Sequence, residues 1–290
     1  MEIRTALGVH TLLDWKTTRF DPKAVAAVKA EVEALAKVGT WDTQNVYPRE
    51  ELIKWAQDTN TKIYVGEGLG ICSIKNSELP EHDERRKYKG RFCYRTPTAK
   101  DQDGAIAIFQ EMASRPTTIV SLNVAIGYGC LPGHDITVAD AIKAYVQSLL
   151  KSDVPTYLEL PGHLVPDAWK GINRPCCRLI RALYGHPEAG AHWERHLTAI
   201  IKGMGGVPVV NHPSVFWFAS RCLLLIVYVD DILLSGPAEH HSGFWKELRE
   251  SVNTEDPEPL DRYLGRHHSF EKCGRLEYDL CEWYKSPHVA

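Results

Sequence analysis

The chain has 290 residues, of which 44% are apolar and 24% charged, with a formal net charge of −3. These are the proportions of an ordinary globular protein, and they exclude a collagen-like, low-complexity or strongly charged disordered chain. The near-neutral balance carries no global basic signature of a nucleic-acid binder and says little about a local groove.

No apolar run reaches the roughly 18 to 20 residues that a membrane span needs. The start, MEIRTALGVHTLLDW, has an acidic second residue and no signal-peptide layout. Eight cysteines include the adjacent pair Cys176-Cys177 and no CxxC, which argues against a disulfide framework or a zinc ribbon. Thirteen histidines form no zinc spacing, and the adjacent pairs His240-His241 and His267-His268 are expected in loops. The expected setting is reducing and intracellular, cytoplasmic or nuclear, with no membrane partner.

In chain order, Asp21 to Gly39 reads as a helix. Asp21 can cap it, Pro22 suits its first turn and Gly39 its exit, while Val25, Val28, Val32 and Leu35 make one apolar face. A mixed segment follows to Lys75, with possible short strands such as KIYVG. Lys75 to Arg91 is polar and ends in a basic run, as a solvated loop leading into a strand would. In the strand FCYRTPTAK, Pro97 limits pairing. Lys100 to Ser114 reads as helical through Phe109 and Met112, and TTIVSLNVAIGYGC is unusually β-branched.

HDITVAD (His134 to Asp140) reads as a strand with Ile136, Val138 and Asp140 on one face, followed at once by a helix over AIKAYVQSLLK. PTYLELP reads as a short strand, HPEAGAHWERHLTAIIKGMGG as a helix ending at its glycines, and VFWFAS and CLLLIVYV as paired strands. HSGFWKELRESVN reads as a helix, and FEKCGRLEYDL as a hairpin turning at Cys273-Gly274. Strands and helices intermix with no repeat or Gly/Ser linker, so the fold class is α+β.

One stretch conflicts with this ordinary pattern. In LLLIVYVDDILLSG, Asp230 and Asp231 interrupt a long apolar run. Removing a carboxylate from water costs several kcal/mol or more unless it is paired or bound to a cation, and two neighbours also repel. A tight turn between the flanking strands would put both carboxylates at a hairpin tip, although no Gly or Asn is there to favour one. Divalent cations would relieve both problems, since Mg²⁺ takes oxygen ligands, typically one or two carboxylates plus substrate phosphates. Asp140, at the end of its strand, is the candidate third carboxylate of a two-metal site; Asp135 is a rival.

At these residues the sequence resembles a family. YVDD (Tyr228 to Asp231) is similar to the YxDD box of reverse transcriptases, and DAIKAY (Asp140 to Tyr145) to their first catalytic segment. RLIRALYGHPEAGAHWERHL resembles the LYGLKQAPRxW segment of Ty1/copia retrotransposons. In the same order, VKAEVEALAKVGTW resembles the start of that domain, YKGR (Tyr88 to Arg91) its KxR strand, and YLG (Tyr263 to Gly265) its primer-grip hairpin. The resemblance runs from about Val25 to Tyr284.

It implies a right-hand polymerase with an antiparallel palm sheet backed by helices. Residues 1–20 would be an extension, with fingers over about 21–130 and palm over about 131–290. It further implies RNA-directed DNA synthesis from dNTPs on an RNA or DNA template-primer. Asp140 and Asp230 would bind two Mg²⁺ ions, with Asp231 assisting, the Ala141 carbonyl available as a further ligand, and Mn²⁺ able to substitute. Lys89 and Arg91 would hold the triphosphate, Tyr145 would lie under the sugar, and Val229 would line the primer terminus. Tyr263, Leu264 and Gly265 would form the primer grip.

The family glutamine becomes Glu188, a carboxylate expected near the polyanionic substrate. The chain stops where a thumb would begin, so the expectation is a retroelement fragment whose thumb, or other Pol domains, would come from elsewhere, as in an oligomer or parent polyprotein. Plainer readings stand beside these: a solvated turn for Asp230-Asp231, a helix cap for Asp140, core packing for Tyr145, and a solvated face for Lys89 and Arg91. The alternative function is a catalytically inactive, reverse-transcriptase-like remnant acting as a binding or inert protein.

Overall fold

The computed structural model describes residues 11–14, 19–109, 117–263, 266–270 and 276–279. Its first half carries β1 (Thr11–Leu12), α1 (Pro22–Lys37), β2 (Trp41–Pro48), α2 (Arg49–Asp58), β3 (Tyr64–Lys75) and β4 (Lys87–Asp101). Then follow α3 (Ile119–Gly129), β5 (His134–Asp140), β6 (Thr156–Glu159), β7 (Pro175–Leu179) and α4 (Ala189–Gly203). The rest comprises β8 (Val207–Pro208), β9 (Val215–Phe218), β10 (Leu223–Tyr228), β11 (Asp231–Pro237), α5 (His241–Arg249) and β12 (Glu258–Pro259). A separate three-stranded sheet is made by β13 (Arg262–Tyr263), β14 (Arg266–Phe270) and β15 (Leu276–Asp279). The fold is thus mixed α+β.

The chain forms two compact units, residues 1–112 with 148–192, and residues 113–147 with 193–290. A single cut near residue 130 does not describe this division, because the chain passes between the units three times.

In the first unit a six-stranded sheet runs β1-β3-β6-β7-β2, with β4 paired to β3. Helix α1 forms as its sequence dictates: the Asp21 carboxylate accepts from the Lys23 and Ala24 amides, and Val28, Val32 and Leu35 are buried. Ala24, rather than Val25, completes the buried face. The helix lies so close to β4 that a Cβ on Gly90 would sit 2.3 Å from the Ala27 carbonyl oxygen. The mixed segment before Lys75 holds β2, α2 and one long strand, β3, of which the expected short strand KIYVG marks only the start. Pro97 falls where the β3–β4 register shifts, between Val65 and Glu67 on the facing strand, so its missing N–H breaks no ladder.

The expected helix over Lys100 to Ser114 does not form in its described part. Lys100 and Asp101 end β4, the Asp101 carboxylate accepts from the Asp103 and Ala105 amides, and Gly104 turns the chain at φ +85°. Those local side-chain bonds outcompete helix formation. Residues 110–116 lie outside the described ones.

In the second unit the sheet order is β12-β5-β11-β10-β9-β8. One face, carrying Ala139, Ile232, Leu234, Leu225 and Val227, packs with Trp193, Leu197 and Ile201 of α4 and Phe244, Trp245 and Leu248 of α5. The other face, carrying Ile136, Leu233 and Ile226, packs with Leu122, Ala125 and Ile126 of α3 and with Leu260 and Tyr263. Helix α3 forms despite its β-branched residues, because Thr118 caps it and its apolar stripe is buried.

The expected helix after Asp140 shrinks to a single 3₁₀ turn, Ala144–Gln147. Lys143 is in the left-handed region at φ +53°, and the Gln147 amide is spent on the carbonyls of Ile142 and Asn253. Further on, Leu149 and Leu150 pair with Arg181 and Ile180 as extended chain. The histidine pairs are not in loops. His241 opens α5, buried, with its ring against the Thr137 hydroxyl and the Gly236 carbonyl, and His267-His268 lie in β14. The tip of the hairpin expected at Cys273-Gly274 lies outside the described residues, while its strands β14 and β15 do pair.

Candidate active site

The two aspartates sit where three strands end together. Strands β10 and β11 pair antiparallel, and Tyr228 opposite Asp231 closes the hairpin, so Val229 and Asp230 form the tip and Asp231 begins β11. Strand β11 pairs in turn with β5, and there Asp231 stands directly opposite Asp140. Residues facing each other across an antiparallel pair project to the same side, with Cβ atoms about 4.5–5.5 Å apart. The Ala141 amide donates to the Asp230 carbonyl at 2.7 Å, which ties the end of β5 to the tip.

The electrostatics follow from this crowding. Burial, then the negative charges of Asp140 and Asp230, then a hydrogen bond with Asp140 push the Asp231 carboxyl up to about 7. Tyr145 is half-buried on the 3₁₀ turn, and its phenol is pushed up by burial and then by the Asp230 charge. Tyr263 is 4% exposed, and its phenol is raised well above its usual range by burial and then by the three aspartates.

Val229 adopts φ +57°, a left-handed conformation that a β-branched residue rarely takes and that costs about 1–3 kcal/mol. Three donors hold this tip. The Trp193 indole N–H donates to the Val229 carbonyl at 2.6 Å, the Ala141 amide to that of Asp230, and the Tyr263 hydroxyl to that of Asp231 at 3.2 Å. Trp193 falls on the final tryptophan of the LYGLKQAPRxW resemblance, so the motif marks the residue, while its bond to a carbonyl 36 positions further on leaves no trace in the sequence.

The donor set is two facing carboxylates with a third beside them, all hard oxygen ligands. Among the described residues no group of three or more His, Cys, Asp or Glu is placed so that it could hold a metal ion by itself. The carboxylate oxygens are donors of the type that Mg²⁺ accepts alongside water and phosphate oxygens. Asp135, the rival ligand, lies at the far end of β5 opposite Gly236.

The remaining candidates fall elsewhere. Lys89 and Arg91 are exposed on β4 in the first unit, on the same strand face as Lys87 and Arg95. Glu188 is not open to a substrate: it is 5% exposed and accepts from the Ser152 hydroxyl at 2.5 Å, with the His192 ring at 3.4 Å. A buried carboxylate bonded in this way is internal structure. Of the expected primer grip, Tyr263 is buried behind the hairpin, and Leu264 and Gly265 lie outside the described residues.

Comparison with known proteins agrees with an origin in mobile elements. The chain is similar to Ty1 Gag-Pol polyproteins. It is 25% identical over 233 residues to the truncated transposon Ty1-A Gag-Pol polyprotein of Saccharomyces cerevisiae, covering 80% of this chain and 17% of the relative. To the transposon Ty1-DR5 Gag-Pol polyprotein of the same yeast it is 24% identical, covering 80% of this chain and 12% of the relative. The chain thus spans less than a fifth of the length of the curated relatives it matches. No family model matches it. The likeness supports a retrotransposon origin. Among the described residues no helix is long and apolar enough to cross a membrane.

Proposed function

We propose that the chain is the fingers and palm of a retrotransposon reverse transcriptase, an RNA-directed DNA polymerase that joins dNTPs to a primer 3′-hydroxyl. One observation carries the reading: Asp140 faces Asp231 across β5–β11, with Asp230 beside them on a strained hairpin tip. A solvated turn has no need of a third carboxylate from a separate strand, nor of a carboxyl raised to about 7.

Asp140, Asp230 and Asp231 would hold Mg²⁺ or Mn²⁺. When bound, such ions lower the pKa of an attacking hydroxyl and stabilise charge on the phosphates of an in-line displacement. The chain's own residues do the rest. The sheet fixes the spacing of the carboxylates, Tyr145 offers an aromatic wall beside Asp230 against which a sugar can stack, and Val229 presents the tip to the primer end. Lys89 and Arg91 offer two exposed cations for a triphosphate.

Primer extension on an RNA template with Mg²⁺ or Mn²⁺ tests the proposal. Extension is expected from the natural chain, and its loss in Asp230→Asn and Asp140→Asn. Template-primer binding without extension, unchanged in both variants, would favour an inactive binding protein instead.

A further inference from the structure

We propose that Trp193 and Tyr263 are positioning residues that, with the Ala141 amide, clamp the Asp230–Asp231 hairpin in its metal-binding attitude. The proposal rests on the reading of these carboxylates as a metal site. Three consecutive carbonyls, those of Val229, Asp230 and Asp231, each accept a hydrogen bond from a donor on a different element. Trp193 comes from α4 on one face of the sheet, and Tyr263 belongs to the core cluster on the other. Both side chains are almost wholly buried, at 2% and 4% exposure.

The clamp answers a problem set by the sequence. A hairpin tip favours Gly or Asn where φ is positive, and this one has Val229. Left to itself the tip would relax by rotating its peptide planes, and each rotation swings a carboxylate. A metal or catalytic constellation tolerates about 0.5 Å of such movement. Fixing the carbonyls of three successive residues fixes those planes, and hence the Cα–Cβ directions of both aspartates. Buried indole and phenol groups find partners in any protein; here both partners lie on one tip, approached from opposite faces.

Tyr263→Phe removes one donor and keeps the ring, and Trp193→Phe removes one donor and replaces the indole with a smaller aromatic ring, a loss of volume that the control below shares. Trp245→Phe is the matched control. Its indole is 3% exposed in the same core as Trp193 and donates at 2.8 Å to Thr137, which lies further back along β5 and away from the tip. Two readouts decide: amide hydrogen exchange across 228–231, and Mn²⁺ affinity from the free-ion electron paramagnetic resonance signal.

In Trp193→Phe and Tyr263→Phe, faster exchange confined to the hairpin and Mn²⁺ affinity weakened about five- to tenfold are expected, the loss of one hydrogen bond. The control should lose stability without either change. Unchanged exchange and affinity in both test variants, or an equal response in Trp245→Phe, would overturn the clamp. If Trp193→Phe fails to fold, Tyr263→Phe, on a different element, decides alone. If the natural chain binds no Mn²⁺, the metal-site reading fails, and hairpin exchange still decides the clamp.

Discussion

At Asp231, burial and repulsion act together, and the consequence for stability has a definite sign. Its folded carboxyl is raised from 3.8 to about 7, so the folded state holds a proton that the unfolded state has released. This group's contribution is fully present below its unfolded pKa and is lost as pH rises through about 7. Asp42, Asp83 and Asp167, lowered by their hydrogen bonds, act in the opposite direction at more acid pH. The isolating measurement is therefore the Tm difference between Asp231→Asn and the natural chain without divalent ions. The variant should gain relative to the natural chain as pH rises from about 4 to about 7 and hold that gain above it, and excess Mg²⁺ should cancel the gain only at the higher pH. A difference that stays flat with pH would mean that Asp231 titrates normally. Tyr145 is tested by chemistry rather than stability. If it walls the sugar, Tyr145→Ala raises incorporation of ribonucleotides relative to deoxyribonucleotides, and an unchanged ratio in an active variant removes that role.

At the level of elements, α1 and the β3–β4 ribbon show what close approach demands. A Cβ on Gly90 would meet the Ala27 backbone at 2.3 Å, and backbone cannot swing aside as a long side chain does. Gly90→Ala should therefore cost about 2–3 kcal/mol by forcing the helix off the sheet, read as a lower urea midpoint. An unchanged midpoint would show that α1 docks loosely. The helix itself was legible in the sequence, because its cap and its period are local properties; so were β5, β10 and β11, whose apolar patterning has no rival. The segments after Asp140 and around Lys100 were not. Their composition favours helix, but positive φ at Lys143, Asx bonding at Asp101 and bonds from Gln147 to distant carbonyls decide against it. Long-range partners of that kind leave no periodic trace. The carboxylate pair was legible for the converse reason, since two aspartates in an apolar run violate a local rule and mark a site that structure must compensate.

For the whole molecule, sequence order hides the organisation: each unit is assembled from separated stretches, and only contact between them defines it. Charge is equally non-uniform. With 34 basic and 37 acidic residues the chain exerts no general attraction on a polyanion, so any affinity for nucleic acid or nucleotide must come from local stripes. The exposed face of β4 is one such stripe: Lys87, Lys89 and Arg91 line it, and Arg95 is partly neutralised by Glu67 at 3.4 Å. Two kinds of ligand could use it, and they separate by salt. Neutralising a strand's phosphates releases counterions, and each lost contact lowers the slope of log affinity against log salt by about 0.7–0.9. A triphosphate bound by the same two side chains leaves that slope untouched. Under the proposed role, Lys89→Ala and Arg91→Ala each raise KM for dNTP about tenfold, the loss of one charge-assisted contact, while the salt slope of template-primer binding stays constant. A slope reduced by about one per substitution, with KM unchanged, would move both residues from the nucleotide to the nucleic-acid backbone.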